Sequence, residues 1–136
     1  MKKLPALDLA IELAFVEGSF VFPNPWHRAI GRRPEDGMKV CRLNFGVSPL
    51  FDRIYVDGVE VDEAQRRKGY GSALLLAVAQ ACTPEPPLLP ITALHEVWAS
   101  NRFWGALRAA AVQGLTVTRD LRVGEMEGEA ARWRGV

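Results

Sequence analysis

Three consecutive cations followed by two glycines form the part of this sequence best suited to chemistry. Val59–Glu60–Val61 reads as the end of a strand, Asp62 to Lys68 as a charged loop, and Gly69–Tyr70–Gly71 as the opening of a helix. The first N–H groups of a helix have no intrahelical partner, and the helix end adds a favourable field for an anion. Gly69 and Gly71 remove side chains where a ligand must approach the backbone closely. Arg66, Arg67 and Lys68 add positive charge beside them. A strand, a basic loop, paired glycines and an apolar helix together predict a site for the diphosphate of a nucleotide-type cofactor. Gly-x-Gly-x-x-Gly is not satisfied, because position 74 is Leu, and Gly-Lys-Ser/Thr is absent as well.

The elements that must position this loop follow from periodicity. Gly69 to Gln80 is apolar almost all round and predicts a helix packed against a sheet. Residues 39–45 and 53–61 read as strands, and Asp57–Gly58 admits either a hairpin turn or a bulge. Residues 88–94 read as a short strand, 101–112 as a helix with Gly114 as its cap, 115–118 as a strand and 127–133 as a short helix. Upstream, Leu7, Ala10, Ile11, Ala14 and Phe15 make a stripe that predicts a helix over 5–17, closed by Gly18, and Trp26 to Ile30 reads as one helical turn. The expected fold is one α/β (α+β) domain over 1–136, with a mixed, twisted sheet flanked by helices.

The loop resembles the acyl-CoA-binding motif of the GNAT superfamily of N-acetyltransferases, Arg/Gln-x-x-Gly-x-Gly/Ala, which stands here as Arg66–Arg67–Lys68–Gly69–Tyr70–Gly71. The likeness covers about 59–79 closely, and the strand–helix–strand order of 88–118 agrees with it. The resemblance implies a sheet splayed beyond the strand carrying Val59 and Val61, with pantetheine amides bonded to the backbone of those two residues. It implies a diphosphate on the N–H groups from Arg67 to Ala73, including Ser72, and Asn101 against the pantetheine arm or the sulfur-side region. The implied reaction is transfer of an acetyl or other short acyl group from acyl-CoA to an amine of a small molecule or protein, by direct attack. An acyl-CoA-binding or regulatory module of the same fold, without turnover, is the alternative. Only about 50 residues precede the cofactor strand, so the resemblance implies an abbreviated N-terminal half. A homodimer partner could then supply a missing first strand.

For the proton of the attacking amine, Glu60 is the first candidate base, Asp57 the second and His95 a third. Asp62 and Glu63 read as turn and capping groups. The resemblance implies a tyrosine a few residues before Gly114, but Ala109 and Ala110 stand there, and Tyr55 and Tyr70 are the chain's two phenols. Water can protonate a departing thiolate, whose pKa is ~8.5. Trp98, Phe103 and Trp104 wall an acceptor pocket or anchor the second helix, and His27 lies in a proline-rich loop.

The remaining composition narrows the class. Seventeen basic and 16 acidic side chains leave a net charge near zero, which gives no global attraction to nucleic acid or an anionic membrane. Cys41 and Cys82 lie in apolar surroundings and read as buried free thiols. Met1–Lys2–Lys3 resembles the start of a signal peptide, but Asp8, Glu12 and Glu17 interrupt the apolar stretch behind it. A cytoplasmic location is the expectation. Two isolated histidines make no metal site.

Overall fold

A computed structural model describes residues 4–14, 26–94, 101–109, 114–119, 121 and 123–134. Five strands form one open sheet in chain order: β1 (Asp8–Ala14), β2 (Trp26–Arg32), β3 (Lys39–Val47), β4 (Ile54–Val61) and β5 (Ile91–Ala93). The first four are antiparallel neighbours, and β5 lies parallel to β4. Helices α1 (Tyr70–Cys82), α2 (Asn101–Ala109) and α3 (Met126–Arg134) complete the described elements. The predicted mixed sheet flanked by helices is therefore the observed fold.

The N-terminal expectations are corrected. Residues 8–14 are a strand, not a helix, and pair with β2 from Asp8 opposite Arg32 to Ala14 opposite Trp26. Leu9, Ile11 and Leu13 also alternate with Ala10, Glu12 and Ala14, so the segment carries both periods. An antiparallel partner decided between them. The predicted helical turn from Trp26 to Ile30 is likewise the middle of β2, bonded on both sides. The first strand thus comes from the chain itself, which removes the reason for a partner to supply it. Gly18 lies outside the described residues.

Arg33 closes the β2–β3 turn. Its N–H donates to Met38 O at 2.9 Å, and its guanidinium holds Asp36. Gly37 supplies the positive φ of 70° that the turn requires. Further on, the register of β3 and β4 shifts between Arg42 opposite Glu60 and Asn44 opposite Asp57. The open choice at Asp57–Gly58 is thereby resolved as a bulge, with Gly58 at φ 65°.

Helix α1 buries Tyr70, Gly71, Ala73, Leu74, Leu75, Leu76, Val78 and Ala79. They meet Ala29, Leu43, Phe45, Ile54 and Val56 from one sheet face, with Trp104 and Leu107 of α2 closing the core. On the opposite face, Trp26, Tyr55, Leu94 and Leu121 form a smaller cluster against Trp133 of α3. Strand β5 is shorter than the predicted 88–94. The expected strand at 115–118 is a set of parallel bridges, Ile91 to Val117 continued by Leu94 to Leu121. Helix α2 is described to Ala109, and 110–112 of the predicted helix lie outside the described residues.

Candidate functional site

Strand β4 has two halves with different neighbours. Ile54 to Val56 pair with Ile91 to Ala93, and Leu94 N–H still reaches Val56 O at 2.9 Å. Beyond Val56, residues 57–61 keep β3 on one side and have no strand on the other among the described residues. Asp62 N–H donates to Val40 O across β3. Backbone groups alternate sides along a strand, so those of Val61, and of Val59 two residues earlier, point to the open edge. An extended ligand chain can bond there as an added strand does.

The loop that follows is held by its own side chains. Glu63–Gln65 forms one 3-10 turn, and Arg66 Nε donates to Val61 O at 3.1 Å. Lys68 Nζ donates to the half-enclosed Oε1 of Gln65 at 3.0 Å. Two of the three cations are therefore tethered, and they shape the loop. Arg67 has no hydrogen-bond or ion-pair partner among the described residues and sits at φ 67°, where an L residue with a side chain is strained.

The two glycines serve different ends. Gly69 caps α1 at φ 91°, and a Cβ there would lie 3.1 Å from Pro5. Gly71 lies against α2, where a Cβ would lie 2.9 Å from the Phe103 ring. Its missing side chain serves helix packing, which revises the expectation that only a ligand needs the space. The first intrahelical bond of α1 runs from Ala73 N–H to Gly69 O at 2.9 Å. Tyr70, Gly71 and Ser72 N–H precede it and lack intrahelical acceptors.

A cleft of about 1100 Å³ opens over this helix start. Val59, Glu60, Val61, Arg66, Arg67, Gly69, Tyr70, Gly71 and Ser72 line it; Asp57, Lys68 and Ala73 do not. Lys39, Arg42 and Phe103 also border it, which spacing along the chain could not reveal because they come from β3 and α2. Asn101 opens α2, and His95 and Trp98 lie outside the described residues.

The carboxylates stand on the sheet face away from α1. Glu60 is exposed and holds Arg42 at 2.8 Å. Asp57 is half-buried opposite Asn44. Tyr55 is fully buried; its hydroxyl donates to Glu129 Oε2 at 2.8 Å and accepts from Trp133 Nε1 at 3.0 Å. Burial first, and then Glu129, pushes this phenol up to about 12. Both cysteines are free thiols, and burial raises Cys82 and lifts Cys41 to about 11. Neither is a ready nucleophile. Among the described residues, no group of three acids, histidines or cysteines could hold a metal, and no helix is long and apolar enough to cross a membrane.

An open mixed sheet whose unpaired strand edge leads into a helix-start cleft is the frame of an acyl-CoA-dependent transferase. Residues 37–104, half of the chain, match the model of the acetyltransferase (GNAT) family, and the chain belongs to that family. Its general activity is acyl transfer from acyl-CoA. A putative acetyltransferase from Deinococcus radiodurans R1 is a similar solved structure, 16% identical over 82% of this chain and 88% of that chain, with a TM-score of 0.46. No curated protein matches.

Proposed function

We propose that this chain transfers an acetyl or other short acyl group from acyl-CoA to an amine by direct attack of the amine on the thioester. The observation that carries the reading is the edge of β4 at Val59 and Val61, which meets no strand among the described residues, running into the helix-start N–H groups of Tyr70, Gly71 and Ser72, which have no backbone acceptor among them. The strand edge would hold pantetheine amides, and the helix start with Arg67 would hold the diphosphate. Acyl-CoA supplies an activated carbonyl.

The chain's own part is to hold and deprotonate the acceptor. Asp57 and Glu60 are the candidate bases on β4, with His95 the third. Asp57 adjoins the point where β4 and β5 part, whereas Glu60 must first release Arg42. The amine nitrogen bonds to the carbonyl carbon as the C–S bond breaks. The amine proton goes to the base directly or through water, and water protonates the departing thiolate. The high pKa of Cys41 argues against a covalent relay through that thiol.

The missing phenol before Gly114, with Tyr55 committed to Glu129, favours a second reading, an acyl-CoA-binding module without turnover. Melting curves with CoA and thiol release across a panel of amines separate the two. A CoA-dependent rise in Tm with thiol release supports the transferase. The same rise with no release from any amine supports the binding module, and no rise removes both.

A further inference from the structure

On the sheet face away from α1, four polar residues form one row across four strands. Glu12 stands opposite Arg28, Arg28 opposite Asn44, and Asn44 opposite Asp57. Neighbouring strands lie about 4.8 Å apart, so the row spans about 14 Å and ends at β4, beside the edge that β5 leaves open. Helix α1 and the main core occupy the other face, and among the described residues α3 packs on this one around Tyr55, Trp26 and Leu121. This face offers an acceptor a path over the row to a thioester at the open edge.

Arg28 holds its carboxylate more loosely than five other arginines do. Arg42, Arg53 and Arg119 hold carboxylates through hydrogen bonds of 2.9, 3.2 and 2.6 Å, and Arg33 and Arg132 are paired as closely. Arg28 reaches Glu12 only at 3.7 Å, beyond hydrogen-bond distance, and its buried Nε, like that of Arg53, has no acceptor among the described residues. About a third of its side chain is exposed. A half-desolvated guanidinium with one loose ion pair and an unfilled Nε can take a bidentate anion.

The order of charges along the row specifies that anion's context. A simple anion would meet repulsion from Glu12 and Asp57 on either side, and a simple amine would leave Arg28 with only its loose contact to Glu12. A molecule with an ammonium group near Asp57 and a carboxylate on Arg28 satisfies both ends. We infer that the acceptor is a small zwitterionic amine, an amino acid in the broad sense, whose carboxylate is read by Arg28. This inference rests on the transferase reading above and adds the substrate class.

The test uses the full chain with acetyl-CoA and matched pairs of acceptors: α-amino acids and ω-amino acids of two to six carbons, each with its primary amide. Thiol release should give a kcat/KM at least tenfold higher for the acid than for its amide at some chain length, through KM. R28Q should bring that ratio toward one, and R28K should retain part of it, since a point charge replaces the fork. E12Q, which removes the loose competitor, should hold or enlarge the ratio and serves if R28Q does not fold. Amides matching acids across the panel, or a preference that survives R28Q, would overturn the inference. If CoA raises Tm but no pair turns over, calorimetric titration of the CoA complex replaces the rate: acid-selective binding lost in R28Q supports the inference, and equal or absent binding overturns it. Absence of any CoA-dependent rise removes the parent reading and this inference together. Acylation of neutral amines as well as of acids removes this inference alone.

Discussion

The two ends of β4 are built on opposite principles. At its start, Tyr55 and Arg53 meet Glu129, which also takes Arg132, which in turn holds Asp52; Trp133 donates to the same Tyr55 hydroxyl. Each charged side chain there finds a partner of opposite charge within the chain, with Arg53 Nε the one buried donor of the network that has no acceptor among the described residues. At its far end, the helix N–H groups and Arg67 are left without them among the described residues, and the strand edge meets no strand, with Arg66 alone reaching Val61 O. A satisfied network fixes the strand in place, and an unsatisfied one offers it to a ligand. Stability and binding are thus separated along eight residues of one strand.

Breaking the satisfied end should have the largest effect. Glu129→Ala leaves a buried phenol and two guanidinium groups short of an acceptor. Since both arginines are about a third exposed, the loss should be about 2–3 kcal/mol, below the full range for a buried pair. Urea denaturation measures it, and an unchanged midpoint would refute the assigned role. Acid titration of the same network gives the next effect. Burial pushes the Glu129 carboxyl up, but hydrogen bonds from Arg132 and Tyr55 and the charge of Arg53 outweigh it and hold it below the ordinary range. Its contribution is therefore present above the unfolded value of about 4.3 and is lost as pH falls through the folded value. Stability of the wild type should decline more steeply than that of Glu129→Gln below pH ~4.

The binding end should respond differently. Gly71→Ala drives a methyl into the Phe103 ring and should cost about 1 kcal/mol by overpacking, with a smaller CoA-dependent rise in Tm. Adding Phe103→Leu should restore part of both, and a strictly additive double variant would place the strain elsewhere. Arg67→Gly sharpens the contrast further. It should raise stability slightly, by about 0.5 kcal/mol, because the αL conformation no longer carries a side chain. It should also raise KM for acyl-CoA by about fivefold, in a salt-dependent way, as loss of an exposed cation does.

Much of the cofactor end was legible in the sequence. The spacing Arg66–Arg67–Lys68–Gly69–Tyr70–Gly71 and the all-round apolar run that follows are local signals, and the helix, its left-handed cap and its burial are local or near-local consequences. The strands at 39–47 and 54–61 were legible for the same reason. The misread segments were 8–14, within the helix predicted over 5–17, and 26–30. Leu7, Ala10, Ile11 and Ala14 fit a helix as well as Leu9, Ile11 and Leu13 fit a strand, and Trp26 to Ile30 carries no strong strand preference.

What the sequence determined by itself is the strand, basic loop and helix start, since each depends on residues a few positions apart and on backbone groups that every helix leaves open. Tertiary structure alone decided that β1 is a strand, that Gly71 yields to Phe103, and that Glu12, Arg28, Asn44 and Asp57 stand in one row. Those outcomes depend on pairing register between strands, and a one-residue slip would send every side chain in the row to the other face.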